Sequence, residues 1–431
     1  MRNREEIKEL IDRILAKTSA EHVDIEFGYG SNLATRFGDN AITQNMSGKE
    51  EILRLVTAFG KKHGSSITNK MDDASIEKLV TRAEGIAKTS PEDPEYMPPI
   101  EPQKYPEVPK RFYQDVVDIT PQQLAAEIRK TIDTAKGDGY NASGLFETNH
   151  TIKAIANNRG MFAFDQSTNI EYSTTIHGEK GSGHAFENSE TLAGVDAGRM
   201  AKRALGTAIA AQNPVDIEPG DYTVIFEPLA VIDILGFLAW NMSARDADEG
   251  TTAFSGKVGE KLFSDKINIT TEIDDPELPV PYFGMDGLAS KRIEWVKNGV
   301  LKRLRHDRFW AAQKGEEPDP HLYPIFIGGE NKSVADLIAS CKNGLLVKRL
   351  WYIRYVDRKE LLLTGMTRDG FFRIRDGKVT EPVKNLRWNE SPIVFLNNVL
   401  ALSRPEIVGS WAKVPAIMSE GFTFSSKTES L

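Results

Sequence analysis

The chain has 431 residues, 40% hydrophobic and 27% charged, and a net charge of −8. That is ordinary globular composition with room for two large or about three average domains. The acidic balance repels phosphate backbones, and with no basic stripe visible along the sequence, direct nucleic-acid binding is not expected.

The opening Met1-Arg-Asn-Arg-Glu-Glu-Ile7 is charged, unlike a secretory leader. The longest nearly apolar run, Leu229 to Trp240, contains Asp233 and has twelve residues. It falls short of the ~20 that cross a bilayer and reads as a buried helix. The single cysteine, Cys341, forms no internal disulfide and supplies no multi-thiolate metal site. A cytoplasmic protein away from membranes is expected.

Along the chain, Ile7, Leu10, Ile11, Ile14 and Leu15 form a stripe at helical spacing. Val23, Ile25 and Phe27 then alternate with polar residues, as a half-buried strand requires. Gly38-Asp39-Asn40 marks a turn before strands at 41–45 and 52–59, and a helix is predicted from an N-cap at Ser75. Seven of the 21 prolines fall between Pro91 and Pro109 and hold that segment extended. The pattern restarts with a capping box at Thr120-Pro121-Gln122-Gln123 and a helix through Leu124, Ile128 and Ile132. Strands are predicted at 144–147, 151–156, 161–165 and 170–177, and a helix over about 190–210. Helix, strands, helix occurring twice points to a duplication. Beyond Pro219-Gly220 come a strand at 222–226, the helix opened by Pro228, and a strand-rich remainder. Asn298-Gly299, Asp369-Gly370 and Asp376-Gly377 each have hairpin chemistry. The fold class is α+β, with units at 1–90 and 112–215, a connector at 91–111, and a mainly antiparallel domain at 219–431.

Catalytic signals are sparse. No Gly-x-Ser-x-Gly elbow occurs. Gly28-Tyr29-Gly30 lacks the third glycine of a dinucleotide loop. Gly250 to Lys257 has one residue too many for a phosphate loop, and Val258 stands where a magnesium-binding hydroxyl belongs. None of the histidines is followed by glutamate. His177 and His184 could meet across a turn with Glu179, though an exposed glycine-rich loop is the plainer reading. His306 beside Asp307 could form a base and its orienting partner, or end a solvated cationic run. Asp246, Asp248 and Glu249 could hold a hard cation or simply face water.

Several stretches in order resemble the TldD/PmbA family, described both as modulators of DNA gyrase and as peptidases. They are Thr252 to Leu262 (containing Ala-Phe-Ser-Gly), Lys297 to Lys302, Leu363 to Phe371 and Arg375 to Leu386. In the TldD kind of member, a His-Glu-x-x-x-His helix shortly before Ala-Phe-Ser-Gly binds zinc with a late cysteine. Counting back from Ala253, Leu235, Gly236 and Trp240 stand at those three positions, and 409–418 has no cysteine. The resemblance is thus to the PmbA/TldE kind. It implies no catalytic residue and no metal or other cofactor in this chain, with zinc expected in a TldD-like partner. It also implies a heterodimer with that partner or a homodimer, and unfolded peptides as substrates. The alternatives are a homo-oligomeric peptide-binding protein without proteolytic role, an indirect effect on DNA gyrase, and a metal-independent hydrolase using His184 or His306.

Overall fold

The computed structural model describes residues 2–428. Its first helix, α1 (Arg4–Leu15), starts in a reciprocal Asn3–Glu6 capping box and buries Ile7, Leu10, Ile11 and Ile14. Strands β1 (His22–Gly38), β2 (Ala41–Phe59) and β3 (Lys62–Thr68) follow as an antiparallel meander, then helix α2 (Asp73–Thr89). The cap of α2 is Asp72, whose carboxylate accepts the Ser75 N–H at 3.0 Å, so this helix begins earlier than a Ser75 cap would allow.

The proline-rich stretch 91–111 carries no helix or strand. After it come α3 (Gln114–Val117), α4 (Pro121–Gly137), β4 (Asn141–Asn157), β5 (Phe162–His177), β6 (Ser182–Ser189) and α5 (Ala197–Ala210). The Thr120–Gln123 capping box starts α4 as the sequence predicts. A 3-10 turn at Leu192–Gly194 occupies the first part of the predicted 190–210 helix, and Asp196 caps α5 only after it.

These strands form one sheet in the order β3-β2-β1-β4-β5-β6. β1 and β4 pair antiparallel at its centre, from Asp24–Asn157 to Phe37–Gly144. The units at 1–90 and 112–215 are therefore two similar halves of a single layer. The runs predicted at 144–147 and 151–156 are one strand, because buried Thr148 and His150 carry the ladder through the polar gap between them. α1 and α2 cover one half of the sheet over Val23, Ile25 and Phe27. α4 and α5 cover the other half over Phe37, Phe146 and Tyr172.

The C-terminal domain comprises β7 (Gly220–Phe226), α6 (Pro228–Trp240), α7 (Ala244–Asp248), β8 (Ile269–Thr271), β9 (Ile293–Lys297) and β10 (Val300–Leu301). It continues with α8 (Arg308–Lys314), β11 (Ile325–Ile327), α9 (Val334–Ser340), β12 (Asn343–Val347), β13 (Leu350–Asp357), β14 (Leu362–Thr367), β15 (Phe371–Arg375) and β16 (Lys378–Pro382). β17 (Leu386–Glu390), α10 (Pro392–Asn397), β18 (Val399–Val408) and β19 (Ala412–Lys427) complete it. Its strands form one sheet in which β19 pairs with β7, β11, β17 and β18. The ladders are antiparallel except β7–β12 and β11–β19.

Asn298-Gly299 joins the β9–β10 hairpin and Asp376-Gly377 the β15–β16 hairpin, with Asn298 and Asp376 at φ 48° and 46°. Asp369-Gly370 is a turn but not a hairpin. It links β14, which pairs with β13 and β17, to β15, which pairs with β12 and β16. The two modules dock closely. Ser182 Oγ donates to Asp369 at 2.6 Å, the Tyr105 hydroxyl donates to the Gly287 carbonyl at 2.9 Å, and Phe283 packs with Ile155, Met161 and Ala163. Among the described residues no helix is long and apolar enough to cross a membrane.

Candidate functional site

Pro228 occupies the first turn of α6, where its missing N–H costs nothing. Glu227, just before it, makes no helix cap and instead faces Lys348 at 3.1 Å and Arg203 of α5 at 3.3 Å. The helix packs on β7, β13, β18 and β19. Leu235 is 2% exposed and belongs to the domain core. The Trp411 ring stands beside half-buried Gly236, 4.0 Å from where a Cβ would be, an ordinary contact distance. Trp240 behaves differently from its neighbours. It is 61% exposed, which corrects the expectation that the whole apolar run is buried.

Around the end of α6 the aromatic rings touch in sequence. Trp240 packs on Phe237 with centroids 5.1 Å apart, Phe237 meets Tyr355 edge-on at 5.2 Å, and Tyr323 meets Trp411 edge-on at 5.4 Å. A cavity of about 360 Å³ opens beside them, lined by Trp240, Met242, Arg305, His321, Tyr323 and the exposed Met285. Within it, His321 Nε2 lies 2.8 Å from Ser290 Oγ, but that hydroxyl also reaches the Pro281 carbonyl at 2.6 Å. Burial pushes His321 down to about 4. Ser290 is buried and its hydroxyl donates to the Pro281 carbonyl, so it is not poised to attack a substrate, while His321 Nδ1 has no hydrogen-bond partner among the described residues.

Asp233 lies one turn before Phe237 and binds α6 to the edge of β13, accepting the Leu350 N–H at 3.0 Å. Burial pushes its carboxyl up to about 7, against the opposing pull of the Leu350 N–H and the Arg349 charge.

The other sequence candidates are not assembled into sites. His177 is exposed at the end of β5 and pairs with Ser182, whereas His184 pairs with Thr175, whose hydroxyl lies 2.9 Å from His184 Nδ1. Burial, then the Arg349 charge, pushes His184 down to about 3. Asp307 caps α8 through the Trp310 N–H at 2.7 Å and does not orient His306, whose Nδ1 faces the Leu304 carbonyl. Asp248 is engaged by Lys314 and Trp310, and Glu249 by Arg245. No helix follows Gly250 to Lys257; Phe254 instead anchors that turn in the core. Cys341 is buried behind α9, with its thiol pushed up by desolvation. Among the described residues no group of His, Cys, Asp and Glu is arranged to hold a metal.

The structure also reveals a basic face absent from the linear reading. Trp351, Met366 and Arg387 stand opposite one another across β13, β14 and β17, and Arg354 lies across from Thr364 on the same side. The Arg349 and Arg368 guanidinium carbons are 4.8 and 4.9 Å from the Trp351 ring centroid. Arg354 covers Tyr352 at 4.4 Å and Arg358 covers Tyr355 at 5.3 Å.

The architecture is that of a two-module α+β protein whose second module carries aliphatic and aromatic groups along the mostly buried helix α6. Residues 219–426, just under half of the chain, match the family model described as the PmbA/TldA metallopeptidase C-terminal domain. The fold is that of TldE from Thermococcus kodakarensis, with a TM-score of 0.89 at 19% identity over 97% of this chain and 99% of that one. A Thermotoga maritima structure whose descriptive name links it to a DNA gyrase superposes at a TM-score of 0.88, with 16% identity over 97% of this chain and all of that one. A metalloprotease from Methanocaldococcus jannaschii is 22% identical over 81% of both chains. An uncharacterized protein from the same organism is 24% identical, and the chain spans 59% of that relative's length.

Proposed function

We propose that the chain is the zinc-less, TldE/PmbA-like subunit of a TldD-type metallopeptidase. In this reading it binds unfolded peptide and forms wall and interface around the zinc of a partner. The observation that carries the proposal is the chemistry of α6. Leu235, Gly236 and Trp240 stand at the positions the family motif would give to metal and proton-transfer groups, and none has a lone pair to offer. Leu235, 2% exposed, is committed to the core, and the Trp411 ring stands beside Gly236. The exposed Trp240 and Met285, 61% and 79% accessible, supply an apolar surface of the kind subunit contacts use. Among the described residues β13 pairs only with β14 and is therefore an edge at which an extended peptide could dock.

Co-expression of the chain with a zinc-bearing relative from the same cell, followed by size-exclusion chromatography with light scattering, tests the pairing. A stoichiometric complex is expected, and Trp240→Glu should weaken it. A homodimer indifferent to the relative would instead support the self-contained peptide-binding reading.

A further inference from the structure

The face formed by β13, β14 and β17 concentrates positive charge on a chain whose net charge is −8. Of its arginines, Arg349 lies 2.7 Å and Arg368 3.8 Å from Asp369. The exposed Arg354, Arg358 and Arg387 form no ion pair among the described residues. The acid nearest in sequence, Asp357, is turned to the Lys359 and Glu360 N–H groups at 2.7 and 3.3 Å. Guanidinium groups held on aromatic rings lose less freedom when they bind carboxylates than free side chains would.

We propose that this face recognises acidic extended peptides, with Arg354 and Arg387 taking their carboxylates and Arg358 standing at its margin. The inference rests on the peptide-binding reading above and adds a substrate class to it. An extended chain turns alternate side chains to one side at intervals of about 7 Å, which suits a sheet face with its own regular spacing. Arg358 follows the end of β13 and lies over Tyr355, whose ladder partner Leu363 is in the core, so it stands at the margin of this face. Single-stranded nucleic acid fits less well. It needs free aromatic faces on which to stack bases, and here two guanidiniums lie over Trp351 and a third over Tyr352.

The test is fluorescence anisotropy on the full chain with labelled peptides carrying glutamate at alternate positions, the same peptides with glutamine, and a short deoxythymidine strand. The glutamate peptide should bind about tenfold more tightly than the glutamine peptide at low salt, with the difference shrinking as salt rises. Arg354→Gln with Arg358→Gln and Arg387→Gln should remove that difference while the melting curve is retained. Arg354→Glu should shift the preference toward lysine-bearing peptides. Equal binding of glutamate and glutamine peptides overturns the acidic preference while leaving peptide binding intact. Absence of binding to every peptide overturns both readings. Tighter binding of the deoxythymidine strand through the same arginines, or a dimer of the chain broken by the triple substitution, overturns the proposal in favour of a nucleic-acid or subunit face.

Discussion

Asp233→Asn probes the electrostatics of α6 directly. In the unfolded chain this carboxyl titrates near 3.8, whereas burial raises it to about 7 in the folded protein. Between those values the folded state retains a proton that the unfolded state has released. The resulting stabilisation is complete below the unfolded value and is lost as pH rises through about 7. Above that, the native state holds a desolvated carboxylate, supported by the Leu350 N–H and the Arg349 charge. The full shift would correspond to about 4 kcal/mol, and the partial solvent access of Asp233 reduces this to an order of 1–3 kcal/mol. Asparagine keeps an oxygen for the Leu350 N–H and cannot ionise. The variant should therefore be more stable than the parent at about pH 8 and lose most of that advantage at about pH 5. Urea denaturation followed by tryptophan fluorescence at both pH values measures this. Parallel pH dependence of the two proteins, or a variant weaker at the higher pH, would refute the reasoning.

Two other substitutions test the packing. Leu235→Ala removes a side chain that is 2% exposed in the core and should cost about 3 kcal/mol, read as a lower urea midpoint. Asp369→Ala breaks the Ser182 contact between the two modules and the Arg349 ion pair within the second, leaving a partly buried guanidinium without its partner. A loss of about 3 kcal/mol and faster proteolysis within 91–111 are expected, and Asp369→Asn should be milder.

Local chemistry was the legible part of the sequence. The alternation of Val23, Ile25 and Phe27, the capping box at Thr120 and Gln123, and the turns at Asn298 and Asp376 depend on neighbours within a few residues. Strand lengths were not legible, because β1 continues through Gly28 and Gly30, which bury no side chain and are held by ladders to β2 and β4. Asp369-Gly370 has hairpin residues, but tertiary pairing sends its flanking strands to different neighbours. At the candidate site, the lack of donors at Leu235, Gly236 and Trp240 is visible in sequence. The Trp411 ring beside Gly236 and the exposure of Trp240 are not, since both depend on contacts made in three dimensions. The arginine face was missed for a related reason. Arg349 and Arg354 belong with β13, Arg368 with β14 and Arg387 with β17, and the three strands come together only through sheet register.

The central claim is that this chain contributes binding and structure while a partner contributes the zinc. Its most direct test is a peptidase assay on an unfolded peptide with metal analysis of each subunit, using the purified chain alone and mixed with a zinc-bearing relative from the same cell. Activity only in the mixture, with zinc only in the partner, is the predicted result. Stoichiometric metal and peptide cleavage by the chain alone, surviving substitution of Trp240, would contradict it.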